Sequence, residues 1–131
     1  MTGATLRAAL EHGVSRSAED SQPGGFPQVS GIKFSFDASR PPGSRLVDVK
    51  VNNLPLDDAK NYTLTTTTFI GLDGGDGYAM FKGATVVIPP ERLLTDADTV
   101  KRAIGVRPIS PKVEGRITRL DIAQKSSTNC N

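Results

Sequence analysis

Ile32-Lys33-Phe34-Ser35-Phe36 and, after a proline-glycine break, Val47-Asp48-Val49-Lys50-Val51 decide the fold. In both runs apolar residues alternate with polar ones. A period of two places one face of an extended chain against a core and the other in water, so each run is expected to form a half-buried strand. Arg40-Pro41-Pro42-Gly43 between them has turn chemistry. Asn52-Asn53 follows the second run and favours a tight turn, because asparagine tolerates left-handed backbone angles. The same period recurs at Tyr62, Leu64, Thr66 and Thr68, which predicts a third strand rich in β-branched residues. A last strand is expected within Gly115 to Leu120.

Outward from these strands the period changes. Leu6, Ala9, Leu10 and Val14 fall at helical spacing, with Thr2 or Thr5 as cap and Gly13 marking where the helix should weaken. Ser15 to Gly25 is polar, ends in Pro23-Gly24-Gly25 and is expected to be a loop. Tyr78 to Phe81 can make one helical turn, and the apolar run Thr85 to Ile88 stops at Pro89-Pro90. A second helix starts at Thr95, with Asp98 as a capping acid and Ala97, Val100 and Ile104 as its apolar face. Gly105 and Pro108 should end it. Helices and hairpin-like strands are interspersed, which predicts an α+β domain with a mixed or antiparallel sheet and two main helices. The expected domain is 1–122, followed by a polar tail, 123–131.

With 131 residues the chain fits one domain. Such a domain buries roughly two thirds of its unfolded surface and needs no staple. Sixteen basic residues face fourteen acidic ones, and no Lys/Arg run breaks the balance, so nothing marks a nucleic-acid partner. The single cysteine, Cys130, excludes an intrachain disulfide. No apolar run approaches the ~20 residues of a membrane span. Met1 to Arg7 lacks an apolar signal core and opens almost directly on the helix. A processed or engineered start is expected, with any secretion signal of a parent lying outside the chain.

The local chemistry concentrates in Gly71-Leu72-Asp73-Gly74-Gly75-Asp76-Gly77. Its glycines open backbone angles closed to other residues and let a ligand approach the main chain. Asp73 and Asp76 would repel a phosphate, and the lysine of a P-loop is missing. Carboxylates suit hydroxyl donors instead, since a sugar diol can give two hydrogen bonds to one carboxylate. A plain surface turn fits the composition as well; a calcium site fits less, because the acids are few. Phe69, just before the loop, is either a stacking platform or a core residue, and Tyr78, just after it, lines a pocket or packs on Phe81. His12, the only histidine, lies off the apolar stripe and is expected to be a solvated helix residue. One histidine cannot supply a di-metal site. Arg16, Arg40, Arg45, Arg107 and Arg116 are scattered and are expected to be surface charges.

Taken in order, Thr-Gly-Ala-Thr-Leu-Arg-Ala-Ala-Leu-Glu-His (2–12), Gly-Gly-Phe-Pro-Gln-Val-Ser-Gly-Ile (24–32), Leu-Pro-Leu-Asp (54–57), Tyr-Thr-Leu-Thr-Thr (62–66), Phe69, Gly-Gly-Asp-Gly-Tyr (74–78) and Val-Glu-Gly-Arg-Ile (113–117) resemble the C-terminal domain of the 5'-nucleotidases. The resemblance runs from about residue 2 to 120. It implies a substrate-binding domain within a nucleoside-phosphate hydrolase of nucleotide catabolism, and no catalytic residue in this chain. The hydrolysis belongs to an N-terminal metallophosphoesterase domain with two divalent metal ions, so this chain alone is expected to be inactive and to hold no cofactor. Phe69 resembles the second of two rings that stack on the base, and Asp76, with Gly74 and Gly75, resembles the loop that ties the ribose hydroxyls. The spacing departs from the family: Phe69 is seven residues before Asp76, where many members have six. One extra loop residue keeps Phe69 at the base; the alternative puts Ile70 there. The family's Asn-Gly-Gly-x-Arg segment and first stacking phenylalanine precede the first helix and are not in this chain, which is expected to be N-terminally incomplete, to hold half of a nucleoside site and to expose apolar surface that favours self-association. Family habit places the parent outside the cell or in the periplasm. Two rivals remain: a non-catalytic binding module that kept the fold, and a related phosphoesterase with a non-nucleotide substrate.

Overall fold

The chain is seen in a computed structural model that describes residues 1–17, 24–106 and 108–122. The polar tail 123–131 with Cys130, residues 18–23 of the expected loop, and Arg107 lie outside the described residues.

Helix α1 spans Gly3–Val14. Thr2 is its cap: the backbone there is extended, and the Thr2 hydroxyl accepts the Thr5 N–H at 3.3 Å. The buried face is the expected one, Leu6, Ala9, Leu10 and Val14, with Gly3 and Gly13 added. Gly13 does not weaken the helix. A Cβ there would meet Pro27 Cδ at 2.5 Å and Tyr78 Oη at 2.7 Å, so its missing side chain lets two other segments close on α1. The far end of α1 is held by Arg45, which is 5% exposed. The expectation of a surface charge is wrong here. The Arg45 guanidinium donates to the carbonyls of Val14 and Ser15, acceptors that the end of α1 leaves open, and to the Arg40 carbonyl of the turn before β2.

Among the described residues the sheet has four strands: β1 Ile32–Phe36, β2 Leu46–Val51, β3 Leu54–Pro55 and β4 Ile117–Arg119. Their order is β3-β2-β1-β4. β1 pairs antiparallel with β2 and parallel with β4, so the sheet is mixed, as expected. Asn52 and Asn53 have φ of 50° and 66°, the left-handed turn that their amides favour. The alternation in β1 holds, with Ile32, Phe34 and Phe36 buried. In β2 it breaks: Phe36 pairs with Leu46, the register shifts after Ser35, and Val47 is left 47% exposed. A bulge of this kind turns one residue, Val47, out of the alternation, while Val49 is buried and Val51 is half-buried against the core. The core is the space between α1 and this sheet, filled by Leu6, Leu10, Val14, Phe34, Phe36 and Leu56, among others.

The expected third strand, Tyr62 to Thr68, is not one. Among the described residues Tyr62 to Thr67 runs irregularly, tied to the N-terminus by hydrogen bonds between Met1 and Tyr62. Thr68–Gly71 is a single helical turn, α2, capped by the Thr67 hydroxyl. Threonine spacing fits a strand, but the same hydroxyls favour caps, and no strand pairs along this stretch among the described residues. Tyr78 precedes a 3-10 turn over Ala79–Phe81, close to expectation. The second main helix, α3, spans Asp96–Val106. Thr95 caps it, accepting the Asp98 N–H at 3.1 Å and donating to the Asp98 carboxylate at 2.8 Å. Gly105 lies inside the helix and does not end it. Every residue from Glu91 to Gly105 is exposed, including Val100 and Ile104 of the expected apolar face.

Candidate functional site

A cleft of about 880 Å³ opens beside α1, between the loop after Gly24, the Thr63 to Thr67 stretch and the glycine-rich segment. Two of the residues singled out from the sequence, Phe69 and Asp76, line it. The other two, Gly74 and Gly75, are not among its lining residues. They shape the loop beneath.

Phe69 stands on α2, not at a strand end, and its side chain is 52% exposed. Gly75 lies against its ring: a Cβ at that position would sit 2.3 Å from Phe69 Cε1 and Cζ. The glycine is thus what lets the loop pass under the aromatic. Gly74 has φ 69°, ψ 32°, and a Cβ on it would meet Lys82 Cε at 2.8 Å. Ile70, the alternative to Phe69, also borders the cleft, but it packs on the buried cluster of Ala9, Tyr78 and Phe81. Of the two neighbours, Phe69 is therefore the ring offered to solvent.

Asp76 is exposed and takes left-handed backbone angles, φ 52°, ψ 21°. Asp73 is exposed too, but it does not line the cleft. Tyr78 fills both roles left open for it. It is 6% exposed, stacks on Phe81 at a centroid distance of 5.8 Å, and borders the cleft. Its hydroxyl donates to the Gly25 carbonyl at 2.7 Å, binding the glycine-rich segment to the loop that precedes β1. Burial raises the phenol's pKa above its ordinary value, and the nearby Asp76 carboxylate adds to the rise.

His12 is the residue the sequence misplaced. It is partly buried, and its Nε2 lies 2.7 Å from the Asp76 carbonyl oxygen. Its ring meets Tyr78 edge-on at 4.9 Å. Off-stripe position on α1 gave no hint of this. The one available signal is Gly77, whose absent side chain leaves the space that the imidazole fills. Among the arginines, Arg40 pairs with Asp37, and Arg116 pairs with Glu114 and donates to the Val29 carbonyl; neither borders the cleft. Among the described residues no group of three or more His, Cys, Asp or Glu side chains could hold a metal ion. No helix among them is long and apolar enough to cross a membrane.

Residues 1–83 match the family model described as 5'-nucleotidase, C-terminal domain. A protein of Lutzomyia longipalpis named Protein 5NUC is 42% identical over 95% of this chain and 23% of its own length. A 5'-nucleotidase of Diplobatis ommata is 40% identical over 88% of this chain and 21% of its own length. The crystal structure of a 5'-nucleotidase precursor from Thermus thermophilus superposes with a TM-score of 0.82 at 35% identity, over 92% of this chain and 24% of that one. The chain thus spans less than a quarter of the length of these relatives. Sequence motifs, α+β architecture and the family match converge, and the chain belongs to the 5'-nucleotidase family as its C-terminal domain.

Proposed function

We propose that this domain holds the nucleoside part of a nucleoside monophosphate and presents its phosphate to a metallophosphoesterase domain. The observation that carries this is the shared cleft: an exposed aromatic, Phe69, and an acid, Asp76, both line it, and no lysine is among its lining residues. A base on the Phe69 ring gains roughly 1–3 kcal/mol. The Asp76 carboxylate can accept both hydroxyls of a ribose diol. Gly74 and Gly75 let the backbone of the loop come close to both groups. Held in this way, a phosphoester gains effective concentration at a reaction centre elsewhere. The described residues offer no ligand set for the two divalent metals such a centre uses, so on this view the chain alone releases no phosphate from AMP. The likeness to a Bacillus subtilis protein named trifunctional nucleotide phosphoesterase, 31% identical over 95% of this chain, supports a nucleotide phosphoester as the substrate class.

Two linked substitutions test it. Phe69→Ala should weaken AMP binding by roughly 1–3 kcal/mol, and Asp76→Asn by a similar amount. For a 2',3'-dideoxy analogue, Asp76→Asn should have little further effect, because the diol bonds are already gone. Nuclear magnetic resonance titration of the chain, or binding to the parent phosphoesterase, reads both. Equal losses for the two ligands would make Asp76 a residue that only shapes the loop, and an unchanged affinity in Phe69→Ala would favour the non-catalytic module.

A further inference from the structure

We propose that His12 is the positioning residue that aims Asp76 into the cleft, so that diol recognition in the loop depends on a side chain of α1. This rests on the function proposed above. Asp76 is one of three non-glycine residues with positive φ among those described, and the other two, Asn52 and Asn53, form an ordinary hairpin turn. Left-handed angles are sparsely populated by a side-chain-bearing residue unless its surroundings fix them. The surroundings here are specific. The Asp76 main-chain carbonyl receives a hydrogen bond from His12 Nε2 at 2.7 Å. A carbonyl only accepts, so Nε2 carries the proton. The next residue, Gly77, has φ 84°, and a Cβ there would lie 2.7 Å from His12 Cε1 and 2.8 Å from Nε2. The imidazole therefore occupies the space a side chain at 77 would need. Beyond it, buried Tyr78 meets the His12 ring edge-on and is itself fixed to the Gly25 carbonyl. On the other flank, the Asp76 Cβ lies 3.3 Å from where a Cβ on Gly25 would stand. The Asp76 main chain is thus held at its carbonyl by α1, at the margin of the cleft that the residue lines.

A residue that only packs and a residue that aims Asp76 give different results when the ring and the donor are separated. His12→Phe keeps an aromatic against Tyr78 and removes the N–H. His12→Gln loses the ring and keeps an amide donor near the position of Nε2. Affinity for AMP and for its 2',3'-dideoxy analogue is measured for each variant by titration of the chain, alongside thermal melts. Wild type is expected to prefer the diol by about tenfold, the size of one charge-assisted contact. His12→Phe should bring the ratio to within about twofold of one, as is expected of Asp76→Asn, and His12→Gln should restore most of it even where its melting point is lower. Should His12→Phe not fold, His12→Asn, whose shorter amide falls short of the Asp76 carbonyl, makes the same comparison. A preference that survives in His12→Phe, or changes that follow melting point alone across the variants, overturns the role of His12. A wild-type ratio near one removes the diol reading itself, and the two failures are therefore told apart.

Discussion

Asp121 accepts two hydrogen bonds from the Arg119 guanidinium at 2.9 Å and one from the Ala38 N–H at 3.2 Å. The Arg119 bonds hold its carboxyl at about 2, against the usual 3.8, while partial burial opposes them. Because the folded value is the lower one, the stabilisation is present above about pH 4 and is lost as the pH falls toward 2. Asp121→Asn should therefore destabilise the domain by about 1 kcal/mol at pH 7 and by much less at pH 2, a difference that urea midpoints at the two pH values will show. An equal loss at both would mean that the side chain's shape matters and its charge does not. At this scale the sequence was informative wherever a residue acts through its own chemistry. Phe69 and Asp76 were singled out by the motifs shared with the family, since from composition alone a plain turn and a core phenylalanine fit as well. The role of His12 could not be read, because it comes from the Asp76 carbonyl, 64 residues away along the chain, and a main-chain acceptor leaves no mark in a sequence.

Between elements, the α1–β2 junction is made by two charged side chains. The Glu11 carboxylate accepts the Leu46 N–H at 2.8 Å and the Arg45 N–H at 3.0 Å, where β2 starts. Arg45 returns the link by capping the carbonyl end of α1. Arg45→Met keeps much of the volume and strips the donors from three carbonyls, so a loss of about 2–3 kcal/mol is expected in denaturant unfolding. A loss under about 0.5 kcal/mol would show that water replaces the guanidinium. Local periodicity predicted α1, β1, β2, the asparagine turn and the Thr95 cap, because each is decided by residues within a few positions of one another. It failed where a distant partner decides. Tyr62 to Thr68 has a strand's spacing without a neighbouring strand, Val47 is turned outward by a register shift set across β1, and Leu54–Pro55 is too short to have a period.

Across the whole molecule the packing is uneven. The main core joins α1 to the sheet, a smaller cluster gathers Ala9, Tyr78 and Phe81, and the stretch from Glu91 to Gly105 contributes to neither. A short helix exposed all round from Asp96 to Gly105 has little to hold it beyond its own hydrogen bonds and the Thr95 cap. Hydrogen exchange should find α3 amides at least about a hundredfold less protected than those of Leu6 to Val14. Similar protection in both helices would mean that α3 is covered in solution. Sequence alone supplied the α+β class and the two main helices, but amphipathic spacing in α3 reports a face able to be buried, not one that is. Parallel pairing of β4 with β1 has a further effect on this stretch. Phe34 to Phe36 take Ile117 to Arg119 as neighbours, so the described residues between Phe81 and Ile117 form an excursion pinned at both ends. Closing such a loop costs only about 0.6 kcal/mol more for each doubling of its length. Insertions and deletions are therefore expected to be tolerated here more readily than in the segments that build the core and the cleft; the family model itself matches only residues 1–83, while relatives 40–42% identical align over 88–95% of the chain. Natural variation in the domain's size is expected to accumulate in this stretch, leaving the cleft that Phe69 and Asp76 line unchanged.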